Sequence, residues 1–237
     1  MVSVILTRPR PQAQRFGAEL RAEFGSGIDV VVSPLLRILP LIGPHEHAAL
    51  KRDCDVIFTS ENGVDGFAAA AEARGRRAFC VGDRTADAAR AAGFEALSAS
   101  GNSGDLVALI SEEGGGEMLY VRGEHVARDL KSNLAEFGIP VTDVVVYTQE
   151  LQPFNDVAME QLRGEHPVIF PLFSARTSRI LLEQLTQLGD ALTAPLTAVC
   201  LSGNVAKQVQ NTHFAEVILS KAPNAAAMRC AFGALIA

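Results

Sequence analysis

The chain of 237 residues has no tryptophan, only two tyrosines, Tyr120 and Tyr147, and four cysteines that lie far apart. No Cys-x-x-Cys pair occurs, so neither a zinc knuckle nor a redox dithiol is expected. Cys54, Cys80, Cys200 and Cys230 read as reduced and mostly buried thiols. A positive balance is missing as well. The 21 Lys and Arg residues face 27 Asp and Glu, a net charge of -6, which argues against the basic face of a general nucleic-acid binder. The most apolar stretch, residues 28–43, is broken by Ser33, Pro34, Arg37 and Pro40. A membrane span needs about 20 apolar residues in a row, so none is expected. The start MVSVILTRPRP has no basic leader and its apolar run stops at Leu6, so a cytoplasmic location without a signal peptide is expected.

Several catalytic signatures are also absent. There is no G-x-x-x-x-G-K-[ST] and no G-x-S-x-G, and the Gly114 to Gly116 run precedes a strand instead of joining a strand to a helix. His45 and His47 flank Glu46 just after Pro44, but no third ligand lies nearby, and the segment reads as a solvated loop or helix start. Neither a metal nor a cofactor is expected.

What is present is a globular composition, 48% apolar and 20% charged, with enough chain for one large domain or two small ones. Short apolar runs alternate with helical patterns along its whole length: VSVILT before a helix from about residue 11 to 24, DVIFTS before VDGFAAAAEAR, RAFCVG before TADAARAAG, and PVIFPLFS before a helix through ILLEQLTQLG. That alternation predicts an α/β fold with parallel sheets and crossover helices.

The chain also repeats itself, out of order. Residues 56–64 (VIFTSENGV) resemble 169–178 (IFPLFSARTS), aligning Ser60 with Ser174. Residues 78–94 match 198–214 at an ungapped offset of 120, pairing Cys80 with Cys200 and Gly82 with Ser202. The unit at 119–139 resembles 5–25, so the last unit of one copy matches the first unit of the chain. We therefore expect two lobes: residues 1–34 plus 151–237 form a discontinuous one, and 38–147 form an inserted one. Residues 35–37 and 148–150 make the hinge crossings, whose extended, β-branched surroundings could pair as an antiparallel ribbon.

Ligands of open parallel α/β sheets bind beyond the carboxyl ends of the strands. The turns predicted there are small and polar: Thr7 and Arg8; Thr59, Ser60, Glu61 and Asn62; Gly82 to Thr85; Arg122 and Gly123; Ser174, Ala175, Arg176 and Thr177; Ser202 to Asn204. Such residues cap helices, and the same turns offer backbone N–H groups to an anion; the two roles are compatible. Six of them favour one large polyanionic ligand. Tyr147, in the second crossing, would face a cleft if side chains alternate along the ribbon, and its phenol could give a proton to a leaving hydroxyl. The alternative is a packed ribbon tyrosine with a solvated hydroxyl.

Thr7-Arg8-Pro9, IFTSENGV, VGDRTA, LYVRGE at 119–124, Val146-Tyr147, FSARTS and the tail KAPN, taken in order, resemble the uroporphyrinogen-III synthase family over nearly the whole chain. The resemblance implies two flavodoxin-like lobes, one inserted in the other and joined by a two-stranded β connection, with a deep cleft. It implies cofactor-free closure of hydroxymethylbilane to uroporphyrinogen III, with loss of water and inversion of the terminal ring D through a spiro intermediate. Carried over by position, Tyr147 matches the tyrosine proposed to assist loss of the hydroxyl, while Ser60, Thr85 and Ser174 match cleft hydroxyls. Arg8 and Arg122, at equivalent strand ends, are candidates for carboxylate pairing. The substrate-binding set is completed by Glu61, Asn62, Gly82, Gly123, Ala175, Ser202 and Asn204. Where the family often has G-P-T-T-A, this chain has Ser202-Gly203-Asn204-Val205-Ala206, and the family's V-Y-x-T reads VYTQ here. The expected state is a monomer in transient contact with the preceding pathway enzyme. The reading from another class is a two-lobed binding protein for a polycarboxylate, without catalysis.

Overall fold

The computed structural model describes residues 2–125 and 129–236. In chain order the elements are β1 (Val2–Leu6), α1 (Arg10–Phe24), β2 (Ile28–Val32), β3 (Leu36–Pro40), α2 (Pro44–Leu50), β4 (Asp55–Phe58), α3 (Glu61–Ala68), β5 (Arg77–Cys80), α4 (Asp83–Ala91), β6 (Glu95–Ser98) and α5 (Ser103–Glu113). They continue with β7 (Met118–Gly123), α6 (Leu130–Ala135), β8 (Val141–Leu151), α7 (Asp156–Leu162), β9 (Val168–Leu172), α8 (Ala175–Leu188), β10 (Leu196–Cys200), α9 (Gly203–Val209), β11 (Glu216–Leu219) and α10 (Ala225–Ile236). The backbone divides into two compact units, Met1–Arg37 with Glu150–Ala237 (unit 1) and Ile38–Gln149 (unit 2).

Each unit has its own sheet. Unit 1 holds the order β11-β10-β9-β1-β2, all parallel. Numbered by its own chain order, that is 2-1-3-4-5 read from β2, the flavodoxin-like arrangement. The second sheet runs β3-β8-β7-β4-β5-β6, with β8, β7, β4, β5 and β6 mutually parallel. Its five parallel strands reproduce the spatial order of unit 1, but β7 and β8 come after β4, β5 and β6 in the chain. Strands β7, β8, β4, β5 and β6 thus stand where β1, β2, β9, β10 and β11 stand in unit 1. Parallel strands need crossover helices, and the βα alternation of the sequence supplies them.

Strands β3 and β8 are where the chain passes from one unit to the other. Leu41 N–H donates to Val146 O and Gln152 N–H to Leu35 O, at 2.9 Å each, which is an antiparallel sense. Strand β8 runs unbroken from Val141 to Leu151, through the residues expected as a hinge. The exposed Arg37–Glu150 pair adds a rim contact of little energetic weight.

Both faces of both sheets are covered. In unit 1 one face packs Ile5, Leu172 and Ala198 against Leu181 and Leu185 of α8, and the other packs Val4, Leu6 and Val199 against Phe16 and Leu20 of α1 and Phe232 of α10. Unit 2 does the same with Phe58, Val121 and Val146 on one side and Ile57, Phe79 and Tyr120 on the other. Period-two alternation in β1 sends Val4 and Leu6 one way and Ile5 the other. No helix among the described residues is long and apolar enough to cross a membrane.

Cys80 and Cys200 are buried, and burial pushes their thiols up to about 12 and about 11. Cys54 is half-buried and Cys230 is exposed on α10, so of the four thiols expected to be mostly buried two are fully so.

Candidate active site

In a 2-1-3-4-5 sheet the switch point lies between strands 1 and 3, which here means β7 beside β4 in unit 2 and β1 beside β9 in unit 1.

In unit 2, Ser60 follows β4 and caps α3, its hydroxyl accepting from the Gly63 N–H at 3.2 Å. The hydroxyl of Tyr147 lies 3.1 Å from the same Ser60 Oγ. A regular β8 would not bring it there. Val144 and Val146 face α3, so alternation would turn Tyr147 to the opposite side. The register slips at Arg122/Gly123, where Arg122 faces Val145 and Gly123 faces Tyr147. This β-bulge returns Tyr147 to the α3 face beside Val146, a use to which bulges are often put. The alternation premise therefore fails at this residue. Tyr147 is 7% exposed, and its hydroxyl is hydrogen-bonded, unlike that of a ribbon tyrosine with a solvated tip.

Glycines make room for this arrangement. A Cβ on Gly123 would come within 2.5 Å of Tyr147 ring carbons. On α3, a Cβ at Gly63 would meet Val121 O at 2.9 Å, and one at Gly66 would meet Val146 Cγ2 at 2.5 Å. Two glycines in an eight-residue helix weaken it intrinsically, and here close backbone approach is what they permit.

The other tyrosine comes to the same strand end from the opposite face. Tyr120 on β7 places its hydroxyl 3.0 Å from Thr59 Oγ1, and burial raises its pKa above the ordinary phenol value. Both tyrosines of the chain are thus bonded to the consecutive residues Thr59 and Ser60. Nothing in the sequence singles out Tyr120; its role here depends on its place opposite Ile57 in the β4–β7 register.

Arg122 pairs with Asp143 at 2.9 Å and also donates to Gly123 O at 2.9 Å, so a resident carboxylate already holds it. Beyond the bulge, Thr148 donates to Glu124 Oε2 at 2.5 Å. At the end of β5, Gly82 starts α4, its carbonyl accepting from Thr85 and Ala86, and Thr85 is buried. Asp83 accepts from Ser98 and Ser100 at 2.7 Å each, and these hydroxyls hold its carboxyl below the usual range. Glu61 and Asn62 form the first turn of α3 and have partners of their own.

In unit 1, Ser174 caps α8 by accepting from the Thr177 N–H at 3.2 Å, and Ala175 is the first helical residue. The guanidinium of Arg8 lies 4.3 Å from the centre of the Phe173 ring, which Phe16 supports edge-on at 5.0 Å. Ser202 precedes α9 without a side-chain cap bond, and Asn204 lies in that helix's first turn. His45 and His47 sit at the start of α2, where Glu46 accepts the Gly43 N–H at 2.9 Å. Among the described residues no three His, Cys, Asp or Glu side chains gather as metal ligands.

The family model described as uroporphyrinogen-III synthase HemD matches residues 18–229. The chain belongs to the uroporphyrinogen-III synthase family. Its fold is similar to that of the uroporphyrinogen-III synthetase of Helicobacter pylori, at 16% identity and a TM-score of 0.65, with 99% of this chain and 100% of that one covered. A mutant uroporphyrinogen III synthase of Thermus thermophilus is also similar, at 21% identity and a TM-score of 0.58, with 99% and 98% covered. At these identities the likeness carries the fold, and the family match carries the activity: this is a uroporphyrinogen-III synthase acting in tetrapyrrole biosynthesis. A search of curated protein sequences returned no match.

Proposed function

We infer that this synthase closes hydroxymethylbilane with inversion of ring D, and that its residues act mainly by imposing geometry. The observation that supports this reading is the Tyr147–Ser60 contact over the Gly123 bulge, which sets a phenol at a switch point. In the proposed sequence Tyr147 gives its proton to the hydroxymethyl oxygen on ring A, the C–O bond breaks, and water leaves. The methylene becomes an azafulvenium carbon. The substituted α-carbon of ring D attacks it, forming the spiro intermediate. The bond from that carbon to the ring C methylene then breaks, leaving a second azafulvenium, and the free α-carbon of ring D attacks in turn. Loss of the proton from that carbon restores the aromatic pyrrole and balances the one given at the start.

Such a substrate ionises readily and closes by itself to the unrotated isomer, so orientation is the larger task and proton donation the smaller one. Its eight carboxylates suit the amide-bearing turns at Ser60 to Asn62, Gly82 to Thr85, Ser174 to Arg176 and Ser202 to Asn204. A hinge over residues 35–37 and 148–150 would let such turns adjust to a long ligand. The deciding assay supplies hydroxymethylbilane, oxidises the products and separates the isomers. The expected product is the type III isomer, formed faster than the spontaneous reaction. Only the unrotated isomer at the spontaneous rate would refute the reading, and tight binding without turnover would favour a binding protein instead.

A further inference from the structure

The equivalent turns of the two units differ in charge. After β4 the first turn of α3 holds Glu61, and α4, α5 and α6 begin with Asp83, Asp105 and the cap Asp129. In unit 1 the corresponding helices α8, α9, α10 and α1 have no acid in the first turn. The repeat that aligns Ser60 with Ser174 sets Glu61 against Ala175 and Asn62 against Arg176. Arg176 therefore puts a cation at the positive end of the 14-residue helix α8, where the helix dipole disfavours it. Its Nε is buried without a hydrogen-bond partner, and among the described residues no ion pair holds it.

A second orphan lies at the end of the neighbouring strand. Thr7, at the end of β1, is 1% exposed, and its Oγ1 has no partner. By alternation Thr7 points to the same sheet face as Ile5, the face covered by Ala158 and Leu162 of α7 and by Leu181 and Leu185 of α8. Extending the β1–β9 register sets Thr7 level with Leu172, two residues before the cap of α8. Thr7 therefore ends its strand beside the turn that leads into that helix. Its counterpart in unit 2 by the same repeat is Val121, a buried apolar residue. Ser174 satisfies the Thr177 N–H, leaving the N–H groups of Ala175 and Arg176 with no acceptor inside the helix.

An unpaired guanidinium, an unpaired buried hydroxyl and two helix N–H groups present donors and no acid. Buried polar groups are rarely left unsatisfied, and this set lacks one thing, an anionic acceptor. We propose that Arg176, with Thr7 and the first turn of α8, binds a carboxylate of the substrate, so that unit 1 supplies the charge-based hold on the polyanion. This rests on the reading that the ligand is the polycarboxylate hydroxymethylbilane.

The test uses the full chain and two readouts: fluorescence titration with uroporphyrin I, an unreactive octacarboxylate, and KM and kcat for hydroxymethylbilane. Arg176→Gln should weaken porphyrin binding and raise KM by about tenfold, as expected for a lost charge-assisted hydrogen bond, with kcat within about twofold. Arg176→Lys should recover part of the loss. Thr7→Val should weaken binding about threefold while raising the melting temperature, because it removes an unsatisfied buried hydroxyl. A structural role for either side chain would lower the melting temperature instead. Wild-type affinity for uroporphyrin I in Arg176→Gln overturns the proposal, as does a melting temperature in Thr7→Val below that of the wild type. Failure of the wild type to form the type III isomer would overturn the proposed function, while the porphyrin titration would still decide the role of Arg176.

Discussion

At the end of β4 in unit 2 the chain reads Ser60-Glu61-Asn62, and at the equivalent end of β9 in unit 1 it reads Ser174-Ala175-Arg176. Both serines cap the helix that follows in the same way. From there the two ends diverge. In unit 2 the groups at this end pair with one another: Ser60 meets Tyr147, Thr59 meets Tyr120, Arg122 meets Asp143, and Asp83 meets Ser98 and Ser100; the buried atoms left over are acceptors, Asp143 Oδ1 and Gln149 Oε1. In unit 1 the Thr7 hydroxyl and the Arg176 Nε remain without partners. One strand order thus serves two tasks: a network that can hold a phenol in place, and a set of donors available to an anion. Duplication lets the two tasks separate, because each unit has its own core and its own strand ends.

The comparison can be broken most directly at Gly123. Gly123→Ala forces a methyl group into the Tyr147 ring, and we expect a loss of about 1–3 kcal/mol in denaturant unfolding together with a fall in kcat. The repeat sets Pro9 at the equivalent position in unit 1, and Pro9→Ala should cost only about 0.5 kcal/mol, through the entropy of the unfolded chain. Similar costs at the two positions would mean that the bulge does not seat the ring. Next in size is Tyr147→Phe, which keeps the packed ring and removes the proton. Turnover should drop by up to about 100-fold, the lower end for general acid catalysis, and the protein should stay folded. Complete inactivity in a folded variant would demand a stricter acid role.

A paired substitution sharpens the contrast further. Ser60→Ala and Ser174→Ala each remove a cap and should each cost about 1 kcal/mol in thermal or chemical unfolding. Only Ser60→Ala should also lower kcat, because only Ser60 touches the Tyr147 hydroxyl. The smallest effect is expected at Asp83. Its carboxyl is held below its ordinary value when folded, so its contribution to stability is present above the unfolded pKa and is lost as pH falls through the folded one. Asp83→Asn should therefore be slightly less stable than the wild type at pH 7, with the two curves converging in acid. Curves that stay parallel to the lowest pH would show that this carboxylate contributes nothing through its charge.

Much of the architecture was legible in the residues. The βα alternation and the out-of-order matches of 56–64 with 169–178 and of 119–139 with 5–25 are local patterns, and they anticipate two similar sheets with one chain order permuted. The caps at Ser60 and Ser174 were legible for the same reason, since a cap bonds an amide three residues away. The position of Tyr147 was not. It depends on a bulge between β7 and β8, and a bulge belongs to a pair of strands rather than to one of them. Its contact with Ser60 spans 87 residues of chain, and the Thr59–Tyr120 contact spans 61. Nor could composition distinguish Arg122 from Arg8, which occupy matching places in the repeat. Asp143 lies within reach of one guanidinium, and the ring of Phe173 lies beneath the other.

By itself, then, the sequence determined what depends on neighbours along the chain: the elements, their caps, the duplicated pattern and the resemblance to a family. Tertiary structure alone decided which polar groups meet and which are left over, because hydrogen bonds and ion pairs extend only a few ångströms and the strands that bring their partners together are far apart in sequence. The unpaired Arg176 and Thr7 of unit 1 and the locked Tyr147 of unit 2 belong to that second category.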